Sequence, residues 1–176
     1  MAFGNSLTAG LGLPVSESYP AVLEKMLRRN GYKYEVVNAG VSGDTTAGGL
    51  RRIDWSLEDN VQFLVLELGG NDILRGQPIE EMKKNLGTMI EKAQSRAVRV
   101  LLLRMEAPTN AGPEYSKEVH QAFDDLSAQY KVTLVSFLWK DSSSVDRLIQ
   151  QDGTHPNEEG ARVMAETVYR ALKPLL

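Results

Sequence analysis

The chain has 176 residues, a formal net charge of -3 at pH 7 and no cysteine. This length predicts one domain, residues 1–176, and the lack of cysteine excludes disulfides, thiolate metal ligands and cysteine nucleophiles. The sequence contains no Lys/Arg cluster of the nucleic-acid-binding type and no run approaching the roughly 20 apolar residues of a membrane span.

The first apolar segment, Met1–Phe3, leads into a small-residue turn at Gly4–Gly10. A segment this short predicts a first strand that is truncated in this chain. It is also too short to hold a signal peptide. As written, the sequence therefore indicates a cytoplasmic protein, or a periplasmic or secreted one if a leader is missing.

Short apolar segments then alternate with helical patterns. Continuous runs of Val, Leu and aromatic residues predict buried strands at Tyr34–Asn38, Phe63–Leu68, Val98–Met105 and Thr133–Phe137. Helix signals are an N-cap at Ser18 with a stop at Gly31, a start at Pro78, the segment Tyr115–Tyr130, and an N-cap at Asn157. Alternation of this kind predicts a parallel sheet covered on both faces, an α/β fold. The functional site of such a sheet lies beyond the carboxyl ends of its strands.

Four segments contain residues that could take part in catalysis, and each lies at one of those strand ends or just before the last helix. The first is Gly4–Gly10, where Ser6 can present its hydroxyl and its backbone N–H to one reacting atom. The alternative is a phosphate-binding loop. The spacing of Gly4 and Gly10 matches neither the dinucleotide fingerprint nor the P-loop.

The second and third segments follow the second and third strands. Gly43 can point a bare backbone N–H into a site, and the alternative is an Asx turn with a helix cap at Asp44 or Thr45. Asn71 follows two glycines and offers a neutral amide to a developing oxyanion. The alternative there is a glycine turn with Asn71 in the left-handed conformation.

The fourth segment contains one of the two histidines of the chain. His120 lies within a predicted helix, and we interpret it as a partly exposed helix residue. His155 lies in a polar loop, with Asp152 three residues before it. A turn can therefore bring the carboxylate to the imidazole Nδ1–H, which would orient a general base. The alternative is an Asp-Gly turn before a helix cap. Together, the four segments supply every role that acyl transfer needs.

At these segments the chain resembles the SGNH, or GDSL, hydrolase superfamily over nearly its whole length. The matching blocks are Gly4-Asn5-Ser6-Leu7, Val41-Ser42-Gly43-Asp44, Gly69-Gly70-Asn71-Asp72 and Asp152-Gly153-Thr154-His155-Pro156. The continuation Leu74-Arg75-Gly76 makes it similar to the bacterial arylesterase and multifunctional acyl-thioesterase I branch.

The resemblance implies a three-layer α/β/α flavodoxin-like fold with a five-stranded parallel sheet in the order 2-1-3-4-5. It implies Ser6 as nucleophile, with Asp152 and His155 completing a triad. The implied oxyanion hole comprises the N–H groups of Ser6 and Gly43 and the side chain of Asn71. The implied substrates are short- to medium-chain esters, aryl esters, acyl thioesters and sometimes lysophospholipids, cleaved without metal or cofactor.

Two loops are expected to flank the acyl pocket. Leu74, Arg75 and Gly76 lie in one, and Pro108 lies in the other, within 107–115 (APTNAGPEY). Loops of this kind often set specificity, and plain connection is the alternative role.

Two other functions stay open at this point. One is a carbohydrate acetylesterase, which shares these blocks. The other is a catalytically impaired flavodoxin-like binding module, suggested by Asn5 where the family has Asp. The expected partner is a small-molecule acyl ester or thioester. We expect no nucleic-acid binding, no stable membrane insertion, and a monomer or weak homo-oligomer.

Overall fold

Five strands form one parallel sheet in the computed structural model, which describes residues 1–57, 60–136 and 145–176. The order across the sheet is β2-β1-β3-β4-β5, which confirms the predicted order. The strands are β1 (Ala2–Gly4), β2 (Asn38–Gly40), β3 (Phe63–Glu67), β4 (Arg99–Arg104) and β5 (Thr133–Ser136).

Helices cover both faces of this sheet. Within the described ranges they are α1 (Ser6–Ala9), α2 (Tyr19–Arg29), α3 (Thr46–Ser56), α4 (Gly70–Leu74), α5 (Ile79–Gln94), α6 (Pro113–Tyr130), α7 (Val145–Leu148) and α8 (Glu158–Leu172). Helix α2 packs against α8 on one face, and α5 packs between α3 and α6 on the other. The result is the predicted three-layer α/β/α architecture. In the part of the chain that is described, every helix is too short or too polar to cross a bilayer.

The core lies on both sides of the sheet because β3 and β4 bury side chains toward both helix layers. Leu64, Leu66, Leu101 and Leu102 are fully buried, and the intervening Val65 is nearly so. Each such side chain stabilises the fold by roughly 1.5–3 kcal/mol. The continuous apolar runs in the sequence therefore mark the strands that are covered on both faces.

The prediction of a strand over Tyr34–Asn38 is wrong for all but its last residue. Strand β2 begins at Asn38, because β1 is its neighbour in the sheet and has only three residues to pair, Ala2 with Asn38 through Gly4 with Gly40. Just before β2, Val37 O accepts from Ala2 N at 2.9 Å. The last predicted strand is present as β5, and its expected final residue, Phe137, lies outside the described residues.

The predicted helix starts differ in how they are capped. Asn157 caps α8 as predicted, with Oδ1 accepting from Gly160 N at 3.0 Å. Ser18 precedes α2 but makes no side-chain capping bond. Its hydroxyl donates instead to Val15 O at 2.8 Å, in the 3-10 turn that leads into the helix.

Candidate active site

Ser6 is the first residue of α1 and is separated from the end of β1 by Asn5 alone. The helix is capped by Asn5, whose Oδ1 accepts from Leu7 N at 2.9 Å and lies 3.5 Å from Ser6 Oγ. No acceptor for the Ser6 N–H is present among the described residues. The hydroxyl and a free N–H of one residue therefore lie in the same turn.

The loop that carries His155 is closed by its own hydrogen bonds. Gln150 N donates to His155 O at 2.7 Å, and Gly153 N donates to Gln150 O at 3.0 Å. Asp152 Oδ1 accepts the backbone N–H of Thr154 at 2.9 Å and that of His155 at 3.0 Å. This turn brings the carboxylate back onto the imidazole three residues later.

Ser6, His155 and Asp152 form a continuous hydrogen-bonded chain. Asp152 Oδ2 lies 2.6 Å from His155 Nδ1, and His155 Nε2 lies 2.8 Å from Ser6 Oγ. The two backbone hydrogen bonds, followed by that to the imidazole, lower the pKa of Asp152 to about 2. An ionised carboxylate makes Nδ1 the proton-bearing nitrogen. Nε2 is thus left with a lone pair that faces the serine hydroxyl.

The loops after β2 and β3 lie against each other beside this chain. Asn71 Nδ2 donates to Asp44 O at 2.8 Å, which uses one of its two amide hydrogens. Arg75 Nη2 donates to Gly43 O at 3.0 Å. Gly43 has a φ of +82°, and its N–H has no acceptor in the ranges that the structure describes. The two loops therefore offer two further donors next to each other.

The alternative interpretations of these loops have different outcomes. Asn71 lies in α4, and the left-handed residue is Gly69, with a φ of +112°, so the left-handed alternative for Asn71 is wrong. Thr45 caps α3 by accepting from Gly48 N at 3.3 Å. A helix cap and a free Gly43 N–H therefore coexist in the same turn.

Arg52 is a structural residue of the site that sequence reasoning missed. Its Nε donates to Asp44 Oδ2 at 2.7 Å, its Nη1 to Ala39 O at 2.8 Å and its Nη2 to Gly4 O at 2.9 Å. The guanidinium also lies 3.8 Å from the centre of the Phe3 ring. The Arg52 side chain thus joins the end of β1, which precedes Ser6, to the loop that contains Gly43. In the sequence it is one member of an ordinary Arg-Arg pair.

Gln150 and Glu67 were also missed. Gln150 Nε2 donates to Leu11 O and to Pro156 O, each at 2.8 Å, and so ties the His155 loop to the chain leaving α1. Glu67 ends β3, is fully buried and contacts α1. Burial raises the pKa of Glu67 to about 7. The available signal was a charged residue at the end of an apolar strand.

The two loops proposed to flank the acyl pocket are neighbours. Leu74 is 61% exposed, and Pro108 O accepts from Ala111 N at 2.9 Å in a turn of the second loop. Tyr115 OH donates to Ile73 O at 3.4 Å and so joins α6 to α4, the helices next to these loops. The pocket role of Leu74, Arg75, Gly76 and Pro108 stays a prediction.

A cavity of about 330 Å³ opens at the other edge of the sheet, at the amino ends of β1 and β3. Its lining includes Met1, Leu27 and Phe63 and excludes both Ser6 and His155. The described residues contain no group of three or more His, Asp or Glu side chains placed to hold a metal ion. The expectation that no metal or cofactor is needed stays a prediction.

Comparisons with known proteins identify the family and the fold of this chain. Residues 2–163 match the model of the GDSL-like Lipase/Acylhydrolase family. Esterase TesA of Pseudomonas aeruginosa is 41% identical over 177 residues, which cover 100% of this chain and 88% of that protein. The thioesterase 1/protease 1/lysophospholipase L1 of Escherichia coli is 29% identical, with 100% of this chain and 84% of that protein covered. A crystal structure of TesA superposes with a TM-score of 0.94 at 41% identity, covering 99% of this chain and 98% of that one.

Proposed function

This chain belongs to the GDSL-like lipase/acylhydrolase family and is a carboxylic ester hydrolase, and we propose that it works through an acyl-enzyme formed on Ser6. The family identified from the four sequence blocks is thereby confirmed. We also propose that residues 1–176 form a single domain. The observation that carries the mechanism is the 2.8 Å contact between His155 Nε2 and Ser6 Oγ, with Asp152 behind the imidazole.

In the first step His155 takes the Ser6 proton as Ser6 Oγ attacks the acyl carbonyl. The proton-bearing Nδ1 donates to Asp152, and this hydrogen bond stabilises the imidazolium that forms. His155 then protonates the leaving alcohol or thiol, and the acyl group stays on Ser6. In the second step His155 activates a water that releases the acid and restores the serine.

Charge that develops on the carbonyl oxygen needs donors that are already in place. We assign this role to the free N–H groups of Ser6 and Gly43 and to the second amide hydrogen of Asn71. Each lies just after the carboxyl end of a strand. The hydrogen bonds from Asn71 and Arg75 hold the segments after β2 and β3 together. Donors that are prearranged in this way stabilise the transition state without reorganising.

For the substrate we propose short- to medium-chain esters, aryl esters and acyl thioesters, with the acyl group near the loops of Leu74 and Pro108. The esterase and the thioesterase named above are 41% and 29% identical to this chain and are covered over more than four fifths of their length. The acetylxylan esterase of Xylanibacter ruminicola is 25% identical and is covered over 42% of its length, so an acetyl-only carbohydrate esterase is not favoured. The intact hydrogen-bond chain at Ser6 also disfavours an impaired binding module, because Asn5 still caps the nucleophile helix.

We further propose a monomer or weak homo-oligomer that does not bind nucleic acid.

The test is labelling by a fluorophosphonate together with hydrolysis of p-nitrophenyl esters of increasing chain length. We expect labelling of the parent protein and its loss in Ser6→Ala, with turnover lower by about 10⁴-fold or more. Ser16→Ala is the matched control, because Ser16 is an exposed serine outside the site. Undiminished hydrolysis by Ser6→Ala would refute the mechanism, and activity confined to acetyl esters would favour the carbohydrate acetylesterase.

A further inference from the structure

A buried carboxylate lies directly beneath the nucleophile helix. Glu67 Oε2 accepts from Asn5 N at 3.1 Å, from Thr8 N at 3.2 Å and from Thr8 Oγ1 at 2.8 Å. These donors flank Ser6 on both sides along the chain. With Leu7 N held by Asn5 Oδ1, side chains occupy the other early N–H groups of α1. The Ser6 N–H is thus the one left for a ligand among those from Asn5 to Thr8.

The carboxylate reaches α1 through a space that only glycine leaves open. Gly4 pairs with Glu67 across β1 and β3. A Cβ on Gly4 would lie 2.4 Å from Glu67 Oε2 and 2.2 Å from Thr8 Oγ1. Distances this short are steric overlaps, so the glycine before Asn5-Ser6 makes room for the anchor. The contact is therefore built into the sheet and does not depend on a surface loop.

A second layer of hydrogen bonds fixes the direction of the Thr8 hydroxyl. Thr8 Oγ1 lies 3.2 Å from Tyr19 OH. Burial, and then the charge of Glu67, raise the pKa of the Tyr19 hydroxyl far above its ordinary value, so Tyr19 stays a donor. Thr8 consequently accepts from Tyr19 and donates to Glu67. Such a chain is strongest when its last acceptor is charged.

Protonation of Glu67 would weaken this arrangement. Its second oxygen, Oε1, is buried and has no hydrogen-bond partner among the described residues. A proton there would be an unsatisfied donor, and Oε2 would become a neutral acceptor with weaker bonds to α1.

The surroundings of Glu67 contain few competing charges. Tyr19 faces it from α2. Arg52 approaches the neighbouring strand β1 from the α3 side, through Gly4 O. His155 contacts Ser6 and Asp152 and, in the described part of the chain, makes no hydrogen bond to Glu67. The residues that α8 buries toward this face are apolar or glycine: Gly160, Ala161, Met164, Ala165, Val168 and Leu172.

We propose that Glu67 is a positioning residue for Ser6: its ionised carboxylate anchors the first turn of α1 so that the hydroxyl and N–H of Ser6 face the substrate. This inference rests on the proposed function of Ser6. It makes activity depend on a second ionisable group, because Glu67 as well as the general base His155 must then be deprotonated for full activity.

The experiment compares the pH dependence of kcat and KM for the parent protein and Glu67→Gln, with a soluble p-nitrophenyl ester. Gln keeps the size of the side chain and removes its charge. At pH 8.5 we expect kcat to fall about 10- to 100-fold with little change in KM, the scale of a small misplacement of a reacting group. Near pH 5.5 the parent also holds a protonated Glu67, so the two proteins should agree within about 3-fold.

A second variant keeps Glu67 and removes one of its donors. The Thr8 hydrogen bond lowers the pKa of Glu67, so Thr8→Val should move the acid inflection of the profile to higher pH. Loss of hydrolysis in Ser6→Ala establishes separately that Ser6 is the nucleophile. With that loss observed, a parent-to-Glu67→Gln ratio that is constant with pH, or an unmoved inflection in Thr8→Val, overturns the Glu67 inference alone. Hydrolysis that survives Ser6→Ala overturns both.

Discussion

The buried carboxyl of Glu67 should make the stability of the fold depend on pH in an unusual direction. Its pKa is about 7 in the folded protein against 4.5 for an ordinary glutamate. Between these values the unfolded chain has lost this proton and the folded chain still holds it. Stability therefore falls as the pH rises through this window, and the loss is complete above pH 7. At 1.36 kcal/mol per pKa unit, the difference between about 7 and 4.5 corresponds to about 3 kcal/mol.

Glu67→Gln removes the ionisation and should remove this dependence. We expect the free energy of unfolding of the variant, relative to the parent, to rise by about 3 kcal/mol between pH 4.5 and pH 8. Urea unfolding followed by tryptophan fluorescence at several pH values measures it. The variant-minus-parent difference is the informative quantity, because the other carboxylates contribute equally to both proteins.

Glu118→Gln is the control for this experiment, because Glu118 is an exposed helix residue. Its difference from the parent should be independent of pH. If the Glu67→Gln difference is also flat, within about 0.5 kcal/mol, Glu67 has an ordinary pKa in the folded state and the reasoning is refuted. The expected result means that the charge which positions Ser6 lowers the stability of the fold.

Two further substitutions test the oxyanion donor Asn71 and the space that Gly4 leaves for Glu67. Asn71→Ala should lower kcat by about 10²- to 10³-fold with a circular dichroism spectrum like the parent's, since it removes one oxyanion donor; an unchanged kcat would remove Asn71 from that role. Gly4→Ala should lower the melting temperature and the activity together, because its Cβ would overlap Glu67 Oε2 at 2.4 Å and overpacking costs typically 1–3 kcal/mol. Calorimetry checks the first effect, and a stable, fully active Gly4→Ala would show that the anchor does not need this space.

Several features could be predicted from interactions between residues that are close together in the sequence. The Asn157 cap and the turn that returns Asp152 to His155 each depend on residues only three apart in the chain, so their spacing could be read directly. The apolar runs around Leu66 and Leu102 mark strands covered on both faces. The strand order came from the family resemblance, and the topology agrees with it.

The sequence by itself therefore determined the fold class and the family, and it predicted the four segments of the candidate site. Only the tertiary structure decided where β2 begins, because this edge strand can form backbone hydrogen bonds only opposite the residues of its neighbour β1. It alone also placed Arg52 and Glu67 against Gly4, Asn5 and Thr8, which are distant from them in the chain. The environment of a charged side chain depends on its burial and on the hydrogen-bond donors that folding brings next to it. Neither can be read from the spacing of residues along the sequence.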